Sequence, residues 1–340
     1  METKKEAYLY EKISGNQVHC TNCAHYCTIA PGRRGICGVR ENAGGKLFAL
    51  NYSKAVTVAI DPIEKKPLFH FLPGTETLSF ATVGCNFMCA NCQNWEISQY
   101  PKSHEDIPGD DFPPQSIVDL ALKHNLPSIS YTYVEPTIFS EYALDTMKIA
   151  KKNNLKNVWV SNGFMSKESS EMIIPYLDAN NIDIKSFSDN FYRKNCGARL
   201  QPVLDTAKKM KESGVWVEIT TLIIPTLSDS DENLTAIANF IAKDLGKETP
   251  WHVTQFSGAI SWRLGHISDT PSNTLRRAYE IGKTAGLKYV YSGNIPGMET
   301  ENTYCSKCNS ICIERSGFNL TRKDKDGKCA KCGTNLSIIQ

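Results

Sequence analysis

Between Leu78 and Tyr291 the chain alternates short apolar runs with amphipathic helical patterns. Continuous apolar, β-branched runs of this length are typical of strands that are buried on both faces of a sheet. The runs are LSFATV (78–83), SISYTYV (128–134), NVWV (157–160), NIDIK (181–185), VWVEITTLII (215–224), WHVTQF (251–256) and KYVY (288–291). Strands that alternate with helices predict a parallel sheet with right-handed crossovers, which forms either an open doubly wound sheet or a full or partial barrel.

Composition excludes several classes of partner. A formal net charge of +2 over 340 residues gives no electrostatic basis for binding DNA, RNA or an anionic membrane. The N-terminal stretch METKKEAYLYEK contains no apolar signal-peptide region, and the sequence has no run of about eighteen apolar residues. We therefore expect a cytoplasmic protein whose partners are small molecules or other proteins.

Twelve of the thirteen cysteines fall into three clusters. The clusters are Cys20, Cys23, Cys27 and Cys37; Cys85, Cys89 and Cys92; and Cys305, Cys308, Cys312, Cys329 and Cys332. In a reducing compartment this clustering favours metal ligation over disulfides, because thiolates on a tight turn converge on one point. Cys196 stands apart, and we interpret it as a buried small side chain or a loop thiol.

The middle cluster lies in GCNFMCANCQNW (84–95), directly after the first predicted strand, and has the spacing C-x3-C-x2-C. A structural zinc site uses four protein ligands, and iron–sulfur clusters are commonly held by four thiolates. Three thiolates around a cubane leave one iron without a protein ligand, and that iron can bind a substrate. The spacing alone also allows a zinc site that is completed by a distant His or Cys.

This loop resembles the signature of radical S-adenosylmethionine (SAM) enzymes. The resemblance implies that Cys85, Cys89 and Cys92 hold a [4Fe–4S] cluster whose open iron chelates the amino and carboxylate groups of SAM. It implies reductive cleavage of SAM to methionine and a 5′-deoxyadenosyl radical, which abstracts a hydrogen atom. The residue before the third cysteine is usually aromatic in the family and is Asn91 here, so Trp95 is the candidate for packing against adenine.

Polar residues follow the next two strands, at the edge where a parallel fold binds its ligand. By resemblance, Glu135 replaces a Gly-Gly-Glu motif that holds the SAM amino group. Ser161 and Asn162 resemble part of the ribose-contacting T-N-G motif of pyruvate formate-lyase activating enzymes. Taken alone, the pair Glu135-Pro136 is a typical helix start, and the tripeptide Ser161-Asn162-Gly163 is a turn.

The fourth run ends in Asp183-Ile184-Lys185, whose two ionisable side chains share one face of the strand. Buried charges are costly unless they are paired or bound to a ligand. The triplet resembles the D-x-K of the same activating enzymes, which faces SAM and the substrate, and the alternative is a buried ion pair. His252 and Gln255 of the sixth run are further candidates for the cofactor site, although a lone His on an apolar strand is more often structural.

The order of motifs resembles the radical SAM enzymes of the AmmeMemoRadiSam system over nearly the whole chain. The motifs are KISGNQVHCTNCAHYC, GRRGICGVREN, AIDPIEKKPLFHFLPG, GCNFMCANCQNWEIS, SYTYVEPTIF, NIDIKSF, TTLIIPTLSDS and KYVYSGNIPG. This resemblance implies Memo-like and AMMECR-like partner proteins, a protein or small-molecule substrate, and a reductant such as a ferredoxin or flavodoxin. A glycyl-radical-activase-like oxidoreductase is one version of this function. The segment HVTQFSGAISWRLGH (252–266) departs from the HxxxFHP form of such relatives, which leaves the substrate contacts there open.

Two cysteine-rich segments are expected to flank the core. We divide the chain into an N-terminal metal-binding segment (1–74), a radical SAM core with a partial (β/α)6-type parallel barrel (75–297), and a zinc-ribbon-like segment (298–340). In the last segment two C-x2-C pairs, Cys305 with Cys308 and Cys329 with Cys332, are separated by twenty residues. That spacing favours zinc, with rubredoxin-like iron as the alternative, and Cys312 is predicted to be packed rather than bound.

The N-terminal cluster of Cys20, Cys23, Cys27 and Cys37 also supplies four thiols. Its spacing does not separate zinc from an auxiliary iron–sulfur cluster. Zinc is favoured because activating enzymes with auxiliary clusters carry them after the radical SAM motif, and a metal-free loop is the remaining alternative.

Two other classes of function fit parts of this pattern. A metal-binding interaction module would use the flanking segments to dock partners, and an electron-transfer protein would use an iron–sulfur cluster without SAM. The first has no need of a three-thiol loop at a strand end. The second has no need of Glu135, Asp183 and Lys185 around the same edge.

Overall fold

The computed structural model describes residues 5–295 and 297–340. Residues 1–4, with which METKKEAYLYEK begins, and Pro296 of the motif KYVYSGNIPG lie outside the described residues. The strands are β1 (Lys5–Glu6), β2 (Tyr10–Lys12), β3 (Val18–Cys20), β4 (Thr28–Ile29), β5 (Arg40–Ala43), β6 (Lys46–Ala49), β7 (Lys54–Ala55), β8 (Thr57–Pro62), β9 (Glu76–Ala81), β10 (Asp110–Asp111), β11 (Ser128–Tyr131), β12 (Lys156–Ser161), β13 (Ala179–Asp183), β14 (Trp216–Ile223), β15 (Trp251–Gln255), β16 (Val290–Gly293), β17 (Thr303–Tyr304), β18 (Ile311–Ser316) and β19 (Asn319–Arg322).

The helices lie mainly between the strands of the central sheet. The α-helices are α1 (Trp95–Gln99), α2 (Pro114–Lys123), α3 (Ser140–Lys152), α4 (Lys167–Ile173), α5 (Asp189–Phe191), α6 (Gln201–Glu212), α7 (Asp231–Phe240) and α8 (Ser272–Thr284). Single π-helical turns follow α5 and α7, at Tyr192–Cys196 and Ile241–Leu245. Short 3-10 turns lie at Ser14–Asn16, Ile63–Lys65, Tyr100–Lys102, Pro136–Phe139, Ile174–Tyr176, Gly258–Ile260 and Glu299–Glu301.

One eight-stranded sheet forms the centre of the molecule, in the order β16-β15-β14-β13-β12-β11-β9-β8. Seven of its strands are parallel, lie side by side in chain order, and coincide with the seven predicted runs. The eighth, β8, pairs antiparallel with β9, so that Thr57 faces Ala81 and Pro62 faces Glu76. This strand precedes the boundary predicted at residue 74, so part of the N-terminal segment extends the central sheet.

The two faces of the sheet differ in polarity. On β9, Leu78 and Phe80 are fully buried in the main apolar core, which also contains Ile117 of α2. Successive strand residues point to opposite faces, and Thr77 therefore points away from that core. There Thr77 Oγ1 lies 2.8 Å from Ser130 Oγ of the neighbouring strand. The apolar face anchors the helices, while hydroxyl groups lie on the inner face.

A segment of residues 63–74 covers the inner face near the amino ends of the strands. Its Leu68 and Phe71 pack against Val158 of β12 and Ala179 of β13. The C-terminal residues continue this layer, because Ile339 forms a parallel bridge with Phe71. The opposite, carboxyl edge of the sheet carries the loops that hold the candidate site residues.

Four small antiparallel sheets flank the central one. Near the N-terminus they have the orders β1-β6-β5, β2-β3-β4 and β10-β7, and near the C-terminus β17-β18-β19. In the described part of the chain, no helix has the length and apolar character needed to cross a membrane.

His70 connects the covering segment to the C-terminal residues. Its Nδ1 lies 3.0 Å from the Leu336 carbonyl oxygen and its Nε2 lies 2.6 Å from Tyr291 Oη. Burial lowers the pKa of His70 to about 4, against the opposing effect of the Glu218 carboxylate. The folded protein therefore keeps this imidazole neutral at pH values where an exposed His is protonated.

We expect the free energy of unfolding to fall as the pH is lowered from 6.5 to about 4. In this range the unfolded chain binds a proton at His70 and the folded chain does not, so up to roughly 3 kcal/mol of stability is lost. Urea unfolding across this range should show a shallower pH dependence for His70→Asn than for the native chain. The matched control His124→Asn changes an exposed side chain and should keep the native slope. An unchanged slope in His70→Asn would assign the effect to other groups.

Candidate functional site

The three cysteines of the C-x3-C-x2-C loop lie between β9 and α1, at the carboxyl edge of the sheet. Cys89 is buried, while Cys85 and Cys92 are partly buried. Burial raises the pKa of the Cys85 thiol to about 12. These thiols are therefore neutral unless a positively charged metal centre binds them as thiolates.

Glu135, Ser161 and Asn162, predicted from separate strand ends, meet in the structure. Glu135 Oε1 accepts hydrogen bonds from Thr137 Oγ1 at 2.6 Å and Ser161 Oγ at 2.9 Å. Its Oε2 accepts one from the Asn162 backbone N–H at 2.6 Å. Burial raises the pKa of Glu135, while these donors act in the opposite direction. The carboxylate is thus a shared acceptor for the loops that follow β11 and β12.

A side-chain hydrogen bond connects this group to the cysteine loop. Asn162 Nδ2 donates to Asn86 Oδ1 at 2.8 Å, and Asn86 is the residue after Cys85. A second connection runs from Asn94 Nδ2 to the Tyr133 carbonyl oxygen at 2.7 Å. The loops after the first three parallel strands therefore form one hydrogen-bonded unit.

Asp183 and Lys185 form an ion pair, as in the alternative considered from the sequence. Burial lowers the pKa of Lys185, but the Asp183 carboxylate and the nearby Cys89 and Cys196 thiols outweigh it, so the pKa is raised. Asp183 Oδ1 is buried and has no hydrogen-bond donor among the described residues. Buried acceptors are nearly always satisfied, so this oxygen is available to a ligand.

The structure brings a fourth thiol, Cys196, beside the triad. Interaction with its sulfur, together with burial, raises the pKa of Cys89. The backbones are joined as well, because the Met88 N–H donates to the Cys196 carbonyl oxygen at 2.9 Å and the Ala90 N–H to that of Asn195 at 2.8 Å. No spacing in the sequence indicates this proximity, since Cys196 has no other cysteine near it along the chain.

The two candidates of β15 lie apart from this group. His252 is the second residue of the strand, and its Nε2 lies 2.7 Å from Glu218 Oε2. A strand rises about 3.3 Å per residue, which leaves this imidazole roughly 10 Å short of the end of the strand. Gln255, at the end of the strand, donates from Nε2 to the Thr270 carbonyl oxygen at 2.8 Å. The His252 side chain therefore lies too near the start of the strand to reach the cysteine loop at the carboxyl edge.

The segment after β15 crosses the cysteine loop. The Trp262 N–H donates to the Cys92 carbonyl oxygen at 3.1 Å, and the Arg263 N–H donates to that of Ala90 at 2.8 Å. The ring of Trp262 lies nearly parallel to that of Trp95, with a centroid separation of 6.4 Å. Trp95, the sequence candidate for adenine packing, is 40% exposed beside this loop. The departure from the HxxxFHP form therefore brings a second indole next to the third cysteine.

Near the C-terminus, Cys305, Cys308, Cys329 and Cys332 converge on one point, with all four sulfurs within 4.8 Å of one another. The Sγ atoms of Cys305 and Cys332 lie 3.5 Å apart, and those of Cys308 and Cys329 lie 3.6 Å apart. Four sulfurs placed tetrahedrally at about 2.3 Å from a single ion would be about 3.8 Å apart. Cys312 packs beside them, with its Sγ 3.6 Å from the Ser310 carbonyl oxygen.

Known proteins resemble the part of the chain that carries the cysteine loop. The sequence profile of the Radical SAM superfamily matches residues 80–241. An uncharacterized protein of Methanocaldococcus jannaschii is 46% identical over 338 residues, which cover 98% of this chain and 99% of that protein.

The chain belongs to the radical SAM superfamily.

Two more distant similarities concern proteins of known type. The pyruvate formate-lyase-activating enzyme of Clostridium pasteurianum is 25% identical over 175 residues, which cover 50% of this chain and 70% of that enzyme. A crystal structure of a radical SAM methyltransferase from Sphaerobacter thermophilus is similar at 12% identity and a TM-score of 0.49, covering 66% of this chain and 67% of that chain. Membership in the radical SAM superfamily implies SAM and a [4Fe–4S] cluster as cofactors.

Replacing Glu135 with Gln should destabilise this radical SAM protein by about 1–3 kcal/mol. The substitution introduces an amide N–H2 among the donors of Thr137, Ser161 and Asn162 and leaves buried groups without acceptors. Urea unfolding measures the loss, and Glu76→Gln, at the exposed start of β9, is the matched control with a change near zero. An unfolding free energy equal to that of the native chain would contradict the hydrogen bonds described for Glu135.

We expect the C-terminal quartet to bind a metal, and removal of that metal should loosen this segment selectively. The segment has few apolar groups of its own, so bonds to the metal would supply much of its folding free energy. Hydrogen–deuterium exchange should become faster over β17–β19 after chelation or in Cys308→Ser, while β9–β13 stay protected. The matched control Cys312→Ala should resemble the native chain. Equal exchange with and without chelator would show that the segment folds without a metal.

Proposed function

We propose that this chain is a radical SAM enzyme that cleaves SAM reductively with a [4Fe–4S] cluster held by Cys85, Cys89 and Cys92. When bound, the cluster supplies the electron that releases methionine and a 5′-deoxyadenosyl radical, which abstracts hydrogen from a partner protein or a small molecule. The observation that carries the proposal is the convergence of the three-thiol loop with Glu135 and Lys185 at one edge of the sheet. Membership in the superfamily supports it.

The residues around the triad suit a ligand of this chemistry. Asp183 Oδ1 and Asn91 Oδ1 are buried acceptors without donors among the described residues. SAM carries an ammonium group, two ribose hydroxyls and a positively charged sulfonium, all of which favour acceptors or negative charge. Lys185 offers the complementary positive charge for a carboxylate. These unpartnered acceptors, one within the cysteine loop and one near Cys89, therefore support SAM binding here.

Within this proposal the residues have distinct roles. Glu135 positions Ser161 and Asn162, which face the ribose, and its remaining acceptor capacity faces the SAM amino group. Asp183 and Lys185 orient the methionine part of SAM and the substrate. Gln255 lines the far side of the same edge, while His252, bonded to Glu218 nearer the amino ends of the strands, supports the sheet below the site.

We also propose a specific system, partner proteins, a reductant and a metal for this enzyme. The order of motifs supports an enzyme of the AmmeMemoRadiSam system in the cytoplasm, with Memo-like and AMMECR-like proteins as partners and a ferredoxin or flavodoxin as reductant. A glycyl-radical-activase-like reaction is supported by the similarity to an activating enzyme. Zinc is proposed for the C-terminal quartet, because its sulfur separations suit one tetrahedral ion.

One observation favours a second candidate, an electron-transfer iron–sulfur protein. Cys196 lies beside Cys89, and a fourth thiolate would fill the coordination that SAM requires. In that case the cluster would have four protein ligands, and SAM would have no access to iron. The two functions therefore predict different effects of removing Cys196: the electron-transfer protein would lose a cluster ligand, and the SAM enzyme would not.

Anaerobically reconstituted protein with dithionite and SAM should form 5′-deoxyadenosine and methionine. Cys89→Ala should reduce 5′-deoxyadenosine to background, because two thiolates do not retain the cluster. Cys196→Ala, the matched cysteine control, should keep both the cluster absorbance and the product. Absence of product from the native chain, combined with loss of iron in Cys196→Ala, would reject SAM cleavage in favour of electron transfer. Liquid chromatography and iron analysis provide the two measurements.

A further inference from the structure

The N-terminal quartet, Cys20, Cys23, Cys27 and Cys37, lines a single pocket in the structure. Cys20 and Cys37 are buried, whereas Cys23 and Cys27 are partly exposed. The chain between them is folded tightly, since the Cys20 N–H donates to the Cys27 carbonyl oxygen at 2.9 Å. Four thiols around one pocket form a built site for a ligand that binds sulfur.

The N-terminal quartet is arranged differently from the C-terminal quartet. Within residues 5–295 and 297–340, the C-terminal set is the one group of three or more metal-binding side chains gathered within 4.8 Å. The N-terminal sulfurs are not gathered within that distance of one another, although all four cysteines line one pocket. A cubane holds its thiolates at the corners of an iron–sulfide cube, farther apart than the ligands of one zinc ion. The wider arrangement favours a cubane over the zinc expected from motif order.

A buried arginine supplies an independent sign of a ligand. Arg40 lines the pocket and is 2% exposed. Its terminal nitrogens bond to Glu141 at 2.9 and 2.6 Å and to Ser140 Oγ at 3.1 Å. Its Nε is buried and has no acceptor among the described residues. An N–H donor and a positive charge at the pocket wall suit a negatively charged cluster, whose sulfurs accept such hydrogen bonds.

The pocket adjoins the triad loop directly. Gly84, which precedes Cys85, has a φ of +102°, and a Cβ there would lie 3.0 Å from the Cys37 carbonyl oxygen and 2.8 Å from Val39 Cγ1. On the other side, His25 Nε2 lies 2.8 Å from the Asn86 carbonyl oxygen. The N-terminal quartet and the triad are therefore connected by direct contacts between the residues that flank their cysteines.

The far side of the quartet reaches the surface. Besides the partly exposed Cys23 and Cys27, the neighbouring Tyr26 and Ile36 are 36% and 47% exposed. The quartet thus extends from the protein surface to the triad loop. This is the position that an electron relay needs, since an external carrier can approach one side and the triad lies on the other.

We propose that the N-terminal quartet holds a [4Fe–4S] cluster that relays single electrons from a reduced ferredoxin or flavodoxin to the triad. The carrier loses one electron, the quartet cluster is reduced and reoxidised in turn, and the triad cluster gains that electron. No bond to hydrogen is made or broken in this transfer. The relay depends on the function proposed above, whereas occupancy of the quartet by a cluster does not.

Iron analysis of a triad-free chain tests the cluster. After anaerobic reconstitution, the full chain with Cys85→Ala, Cys89→Ala and Cys92→Ala should retain about four irons and four sulfides at the quartet. Adding Cys20→Ala and Cys37→Ala should remove them, while circular dichroism monitors folding. One zinc and no iron at the quartet would overturn the proposal. In the native chain, reduction should give an electron paramagnetic resonance signal that SAM does not change, besides one that it does, and a single SAM-responsive signal would also overturn it.

The choice of reductant tests the relay. In Cys20→Ala/Cys37→Ala, formation of 5′-deoxyadenosine with reduced flavodoxin should fall to background, while titanium(III) citrate, a small reductant, should still support it. A native rate with flavodoxin in this variant would overturn the relay. If the native chain forms no 5′-deoxyadenosine with either reductant, the proposed function fails, and the iron count still decides whether the quartet holds a cluster.

Discussion

The buried carboxylate of Glu135 is the acceptor on which the arrangement of the site depends. It receives donors from Ser161 and Asn162 after the neighbouring strand, and so fixes the distance between two strand ends. Asn162 then bonds to the cysteine loop, and Asn22 of the N-terminal segment donates to the Thr137 carbonyl oxygen. One negative charge thereby orders three segments that are far apart in the sequence. Its desolvation is offset only while all these donors are present.

Two buried carboxylates, Glu141 and Glu218, hold the flanking segments at opposite ends of the sheet. At the carboxyl edge, Arg40 pairs with Glu141 at 2.6 Å, which attaches the N-terminal segment to α3. At the amino end, Glu218 accepts hydrogen bonds from the backbone of Phe69 and His70 and from His252. Losing either partner would leave a buried charge, which is far more costly than the pair itself. Buried polar contacts therefore attach segments outside the parallel core to it at both ends of the sheet.

The sequence predicts those features of the fold that depend on residues close together along the chain. All seven parallel strands were predicted, because apolar runs depend on neighbours along the chain. The meeting of Glu135 with Asn162 followed from the rule that parallel strands end at one edge. Long-range features could not be predicted in this way: the antiparallel pairing of β8, the height of His252, and the contact between Cys196 and Cys89. Each depends on how segments that are distant in the sequence pack together, and the spacing of residues along the chain does not indicate that alignment.

The position of Cys196 allows this fourth thiol to lie beside the triad while one iron of the proposed cluster stays free to bind SAM. Its backbone runs alongside the loop, bonded to Met88, and its side chain is fully buried next to Lys185 and Tyr192. A thiol beside a ligating sulfur, here that of Cys89, can adjust the reduction potential of a cluster without replacing one of its ligands. The positive charge of Lys185 acts on the same sulfur. We therefore expect Cys196 to adjust the potential of the triad cluster rather than to ligate it, which leaves one iron open to SAM.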